Sequence, residues 1–127
     1  MPASHTTVDE NLHVVKMSGE RVFKLAVRAM EDAAKIALQK CGTSASDVDL
    51  LIPHQANKRI IEATVDRLGI PMERVFLNVE RYGNMSCASI PVALDEALQE
   101  DRLKDGDLLG MVAFGAGLTW GAVVMRW

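Results

Sequence analysis

From Leu108 to Met125 the chain runs 18 residues without a charge, a length at the threshold for a membrane-spanning helix. Gly110, Gly115, Gly117 and Gly121 interrupt the run, and "FGAG" falls near its middle. Glycines placed this way favour a tight turn over an unbroken helix. The stretch is therefore expected to form two buried strands, Asp107–Phe114 and Leu118–Arg126, joined as a hairpin. Such a hairpin has to add to a larger sheet, and the rest of the chain supplies one.

From Gly19 onward, Val22, Leu25, Ala26, Ala29, Met30, Ala33, Ile36 and Ala37 recur at helical spacing. Lys24, Arg28, Glu31, Asp32 and Lys35 take the opposite side, and Gly42 is a stop signal. "DLLIP" (Asp49–Pro53) reads as a buried strand. A helix over Ala56–Leu68 follows, with Ile60, Ile61, Thr64, Val65 and Leu68 inward. "RVFLN" (Arg74–Asn78) reads as a further strand and "VERYGN" as a loop. The last helix spans Ser86–Glu100, with Pro91 tolerable only in its first turn. Its small residues, Ser86, Cys87, Ala88, Ser89 and Ala93, suit a helix that other backbone approaches closely. Residues 1–17 have no strong periodicity, although "LHVVKM" is compatible with a short strand. Strands alternating with helices predict an α/β fold with a mixed, mostly parallel sheet packed by helices and a C-terminal antiparallel strand pair.

Composition bounds the function. One domain of 127 residues with 49% apolar and 24% charged residues is that of an ordinary soluble protein. A net charge of −3 offers no basic surface for nucleic acid. Cys41 and Cys87 are too few for a disulfide framework and have no metal-ligand spacing. The N-terminal residues lack a signal-peptide pattern. A reducing cytoplasm, no membrane, no metal and no cofactor are expected.

In open α/β sheets ligands gather beyond the carboxyl ends of the strands. His54 and the "YGN" loop both fall at such ends. His54 is open to two readings: an inert structural histidine, or a neutral imidazole offering one donor and one acceptor. Asn84 is either a turn residue or a fixed amide donor that never ionises. Two such donors aimed at one point would stabilise a developing oxyanion, each worth about 2.7–4 kcal/mol of barrier. No nucleophile is evident. Cys87 lies near a helix N-terminus, where the dipole lowers a thiol pKa, but its small neighbours suit a packed hydrophobe better. Ser86 and Ser89 lack an obvious base and are expected to cap the helix. Lys58 and Arg59 form either a solvated face, with Lys58 paired to Glu62, or a basic patch for an acidic partner or a phosphate. "AFGAGLTWG" is either a plain hairpin or backbone N–H groups lining a site.

"PHQANKRII" (53–61), "YGNMSCASIP" (82–91) and "AFGAGLTWG" (113–121) closely resemble three signature stretches of the β-ketoacyl-acyl carrier protein synthase III family. "KMSGERVFKLAV" (16–27) resembles the family's corresponding helix. The resemblance covers essentially the whole chain, in order and with natural spacing. It implies a thiolase-like fold of two similar halves, of which this chain resembles the C-terminal one. Residues 1–18 would be a linker from the preceding half and 19–127 the C-terminal domain.

In that family a cysteine of the N-terminal half is acylated from acyl-CoA. The enzyme then carries out a decarboxylative Claisen condensation with malonyl-acyl carrier protein, starting bacterial fatty-acid synthesis. The resemblance implies that His54 and Asn84 are the histidine and asparagine of the Cys-His-Asn triad. An asparagine at 84 favours this branch over the elongating synthases, which use a second histidine. Phe114 would lie beside the catalytic cysteine. Gly19, Phe23, Ala56 and Asn57 would line the pantetheine channel, and the Ala116 N–H would serve an oxyanion hole. Arg59, with its neighbour Lys58, would meet the carrier protein. The implied partners are acyl-CoA, malonyl-acyl carrier protein, the N-terminal half and a second copy in a homodimer.

Three departures stand out: the nucleophile is missing with its half, Ala116 replaces a common glycine where positive φ would be strained, and Met85 and Cys87 replace smaller or more polar residues. The fragment alone is expected to be inactive. Its alternatives are a noncatalytic self-associating module, a thioester hydrolase, or a related condensing enzyme of specialised metabolism.

Overall fold

The computed structural model describes residues 2–14 and 16–127. Helix α1 (His5–Asp9) is followed by the long α2 (Gly19–Lys40), strand β1 (Leu50–Pro53) and α3 (Lys58–Leu68). A four-residue helix, α4 (Val79–Tyr82), and α5 (Ser89–Gln99) precede the hairpin of β2 (Leu108–Gly115) and β3 (Thr119–Arg126). The sheet order is β1-β2-β3. β1 runs parallel to β2, from Leu50 opposite Leu109 to Pro53 opposite Val112. β3 returns antiparallel, with Phe114 opposite Trp120. The fold is thus a mixed α/β sheet with helices on both faces and an antiparallel pair at its end.

Two cores lie against the sheet. Met30, Ala34 and Leu38 of α2 and Ile61, Val65 and Leu68 of α3 pack with Val48, Leu51 and Val112 on one face. On the other, Ala93 and Ala97 of α5 pack with Leu50, Ile52, Phe76 and Leu109. Fully burying each large aliphatic chain stabilises the fold by about 1.5–3 kcal/mol. Gly110 lets β1 and β2 fit: a Cβ there would stand 3.0 Å from Leu51 Cδ1.

The helix stops follow from chain chemistry. Gly42 (φ +66°) and Gly69 (φ +70°) take left-handed conformations just past α2 and α3. Thr43 N–H returns to the Leu38 carbonyl, and Ile70 N–H to that of Val65, satisfying carbonyls at each helix end. Asn57 caps α3, its side chain accepting from Arg59 N–H at 2.9 Å, so α3 starts two residues later than the apolar pattern suggests.

Several expectations are corrected. Arg74–Asn78 is not a strand: it makes one bridge, Leu51 to Val75, because the Gln55 side chain takes up the backbone beyond it. Val79–Tyr82, expected as loop, is helical. Ser86–Ala88 is a 3-10 turn, so the last helix begins at Ser89. In α2, Leu25 and Ile36 are exposed whereas Val27 and Glu31 are buried; the inward stripe is rotated because Glu31 is held by Lys35 and Arg67. Near the N-terminus the described residues of Leu12–Met17 form no strand; Val15 lies outside the described residues. α1 was not expected, and Ser4 and Thr7 hold it through a reciprocal cap.

The largest correction concerns β3. It was expected to be buried, yet Trp120, Val123, Met125 and Trp127 are 37–52% exposed. Ala122 and Val124 pack towards α2 and α3, so the alternate residues Val123 and Met125 face the α5 side. α5 covers β1 and part of β2 but stops short of β3. Among the described residues, no helix is long and apolar enough to cross a membrane.

Candidate active site

His54 stands one residue beyond β1, its N–H bonded to the Val112 carbonyl at 2.7 Å. This continues the parallel ladder past Pro53, which has no N–H of its own. The imidazole is half-buried, and that burial holds its pKa below the ordinary 6.5, so the ring is neutral near pH 7. Nδ1 lies 2.5 Å from Ser89 Oγ, on the first residue of α5. Ser89 is fully buried and also accepts from the Gln55 N–H at 3.3 Å. With Nδ1 engaged, Nε2 is the nitrogen left to meet a substrate.

Gln55, the next residue, is a fully buried clamp. Its amide nitrogen donates to the carbonyls of Pro53 (2.8 Å) and Phe76 (3.1 Å). Its Oε1 accepts from the N–H groups of Asn78 (3.0 Å) and Val79 (3.1 Å). Two donors and two lone pairs are all in use. The clamp joins the end of β1 to the start of α4, which leads to the "YGN" loop.

Asn84 is exposed, and its Oδ1 accepts from Ser86 N–H at 2.9 Å. The carbonyl end of the amide is thereby committed, leaving the NH2 as the free donor. Gly83 (φ +67°) and Ser86 (φ +55°) both hold left-handed backbone around it; for serine that conformation is uncommon. Glu96 ties this loop to α5 by accepting from Asn78 Nδ2 at 2.8 Å, Arg81 at 2.8 Å and the Tyr82 hydroxyl at 2.5 Å. These bonds, led by that of Tyr82, hold the Glu96 carboxyl below its ordinary pKa. His54 is anchored through Ser89 at the start of α5, whereas the bond between Asn84 and the Ser86 N–H is local to the loop and 3-10 turn that precede that helix.

The remaining candidates are distributed unevenly. Phe23 on α2 and Arg59 on α3 are brought together, the guanidinium 6.0 Å from the ring centroid, within cation–π reach. Lys58 pairs with Glu80 at 2.7 Å, not with Glu62 as the solvated-face reading had it, because α4 brings Glu80 across to it. Gly19 opens α2, Ala56 N–H bonds the His54 carbonyl at 2.9 Å, and the Asn57 side-chain oxygen caps α3. Phe114 is partly buried against the core on the α2 and α3 side.

Ala116 is exposed and does not take positive φ, so the expected strain is absent. Gly117 carries it instead (φ +149°), and a Cβ there would meet Thr119 Cγ2 at 2.9 Å. Ser86 and Ser89 make no side-chain cap to α5, since Ser89 is occupied by His54. Cys87 is exposed rather than packed, and both cysteines are free thiols. Among the described residues, no cluster of three His, Cys, Asp or Glu side chains is placed to hold a metal ion.

Ser89 and Gln55 were missed as site residues. Neither gave a local signal: Gln55 follows His54 among polar residues, and Ser89 is one of several small residues in "SCASIP".

The fold defines the class: the C-terminal half of a thiolase-like protein. Residues 38–127 match the family described as 3-Oxoacyl-[acyl-carrier-protein (ACP)] synthase III C terminal, and the chain belongs to that family. It is 56% identical over 127 residues to the beta-ketoacyl-[acyl-carrier-protein] synthase III of Symbiobacterium thermophilum, all of this chain matching 38% of that protein. The crystal structure of 3-oxoacyl-[acyl-carrier-protein] synthase III from Aquifex aeolicus VF5 is similar at TM-score 0.90 and 51% identity, over 93% of this chain and 38% of that one. The priming beta-ketosynthase of the R1128 polyketide biosynthetic pathway is similar at TM-score 0.78 and 39% identity, over 87% of this chain and 34% of that one. The chain therefore spans little more than a third of the length of these relatives.

Proposed function

We propose that this chain is the C-terminal catalytic half of a β-ketoacyl-acyl carrier protein synthase III, with residues 1–18 linking it to the N-terminal half and 19–127 forming its domain. His54 Nε2 and the Asn84 amide act as paired neutral donors to the thioester oxygen of malonyl-acyl carrier protein. As the bond to the carboxylate breaks and carbon dioxide leaves, its electron pair moves into the thioester and the oxygen becomes an enolate. Two fixed donors stabilise that charge without taking a proton. The enolate carbon then attacks the acyl group carried from acyl-CoA on a cysteine of the N-terminal half.

Neither Cys87 nor Cys41 is that nucleophile. Each is exposed, and among the described residues no base is bonded to its thiol. Alone, the chain is inactive. Gly19, Phe23, Ala56 and Asn57 serve the pantetheine channel, and Phe114 and the Ala116 N–H serve the acyl end. Arg59, backed by Phe23, meets the acidic carrier protein, with Lys58 beside it. The exposed α5-side residues of β3 are the surface on which the N-terminal half packs. The enzyme works as a homodimer in the cytoplasm and needs no cofactor beyond acyl-CoA as substrate.

The observation that supports this reading best is that His54 is held at Ser89, the first residue of α5, while the Asn84 loop leads through the Ser86–Ala88 turn into the same helix. The test is made in the full-length protein with carbon dioxide release and condensation measured separately. His54→Ala and Asn84→Ala are each expected to lower decarboxylation by about 10²–10³-fold, the range for losing one oxyanion donor, while acylation of the cysteine persists. Full activity in both variants would remove the assignment. Similarity to the polyketide priming enzyme, with Met85 and Cys87 beside Asn84, favours a second reading as a priming enzyme of specialised metabolism. Product formation across a series of acyl-CoA primers separates the two.

A further inference from the structure

We propose that Ser89 is a positioning residue that holds His54 in the tautomer carrying its proton on Nε2. The inference rests on the donor role proposed for His54, because only a protonated Nε2 can donate to the thioester oxygen. A serine hydroxyl has one proton to give and two lone pairs. The Gln55 N–H, 3.3 Å away, occupies one lone pair and offers no place for the hydroxyl proton. Ser89 is fully buried, so water does not take that proton either. Among the described residues the one acceptor bonded to Ser89 Oγ is His54 Nδ1, at 2.5 Å. The hydroxyl therefore donates to Nδ1, and a neutral imidazole protonated once must then carry its proton on Nε2.

The opposite arrangement, with Nδ1–H donating to Oγ, would leave a buried hydroxyl proton with no partner, which native structures avoid. Burial of the ring works in the same direction by keeping it neutral. The same enclosure rules Ser89 out as a nucleophile, since a fully buried hydroxyl cannot reach a substrate carbonyl. Its position is enforced from three sides: β1 delivers His54, the Gln55 clamp fixes the following backbone, and α5 begins at Ser89.

Long-range proton–nitrogen correlation NMR of the ¹⁵N-histidine-labelled chain at neutral pH reports which ring nitrogen is protonated. The wild-type chain is expected to show the His54 proton on Nε2. Ser89→Ala is expected to move a substantial share of it to Nδ1, and Ser89→Thr, which keeps the hydroxyl, to restore Nε2. A wild-type proton on Nδ1, or an unchanged tautomer in Ser89→Ala, would overturn the proposal. If Ser89→Ala does not fold, the wild-type spectrum still decides. In the full-length protein, Ser89→Ala should slow decarboxylation by about 10–100-fold, the range for removing a partner that orients a metal-binding histidine, with recovery in Ser89→Thr. If the tautomer behaves as stated but His54→Ala keeps full activity, the donor reading falls and the hold of Ser89 on the ring stands.

Discussion

Gln55 is the residue on which the site's frame depends most directly. Its four hydrogen bonds use every donor and acceptor of one amide, two of them to N–H groups at the start of α4. Gln55→Glu replaces the NH2 with an oxygen that faces two carbonyls, and buries a charge with no cation beside it. The variant is expected to lose about 3–5 kcal/mol of stability at pH 7, the range for an uncompensated buried charge. Urea unfolding measures it, and a loss under about 1 kcal/mol would show the clamp to be dispensable. His54 could be singled out from its place at the end of β1; Asn84 was singled out on the same ground, although the strand expected before it does not form. Gln55 and Ser89 could not, because the partners that give them meaning lie 21–24 and 34–35 residues away. A polar residue's role depends on what surrounds it in space, and local pattern carries no record of that.

Among the elements, α2 and α3 were legible because apolar spacing and a stopping glycine agree. Arg74–Asn78 was misread because its β-prone residues have one neighbouring strand, and a side chain then replaces the ladder. The face of α2 was misread at Glu31, placed among the solvent-facing charges. It is 7% exposed, joins α2 to α3 through Arg67 and pairs with Lys35 one turn further along α2. Hydrogen bonds from Lys35 and then Arg67 hold the Glu31 carboxyl below its ordinary 4.5. A carboxyl lowered by folding stabilises the native state above its unfolded pKa, and loses that contribution as pH falls through the folded value. Both cations are half-exposed, so Glu31→Gln is expected to cost about 1–2 kcal/mol at pH 7, between the surface and buried limits. The wild-type and variant unfolding free energies should converge as pH falls below about 4.5. A gap that persists in acid would assign the effect to packing instead.

On the scale of the whole molecule, the sheet is covered on one face by α2 and α3 but only partly on the other by α5. Val123, Met125 and Trp127 remain as an apolar strip along an edge strand, which is the kind of surface that associates. The isolated chain is expected to self-associate with rising concentration in sedimentation velocity, and a Val123→Lys, Met125→Lys double variant to remain monomeric. A wild-type chain that stays monomeric throughout would show the strip to be harmless.

The parallel pairing of β1 with β2 also bears on the order in which the molecule assembles. Asp49 and Leu108, which meet where the two strands begin, are 59 residues apart along the chain. Joining them demands closure of a long loop before any contact rewards it, whereas α2, α3 and the β2–β3 hairpin form from near neighbours. His54 takes its backbone bond from that same pairing. The backbone bond that places His54 therefore cannot form until β2 is present, and a nascent chain still lacking its final strands carries the histidine without it.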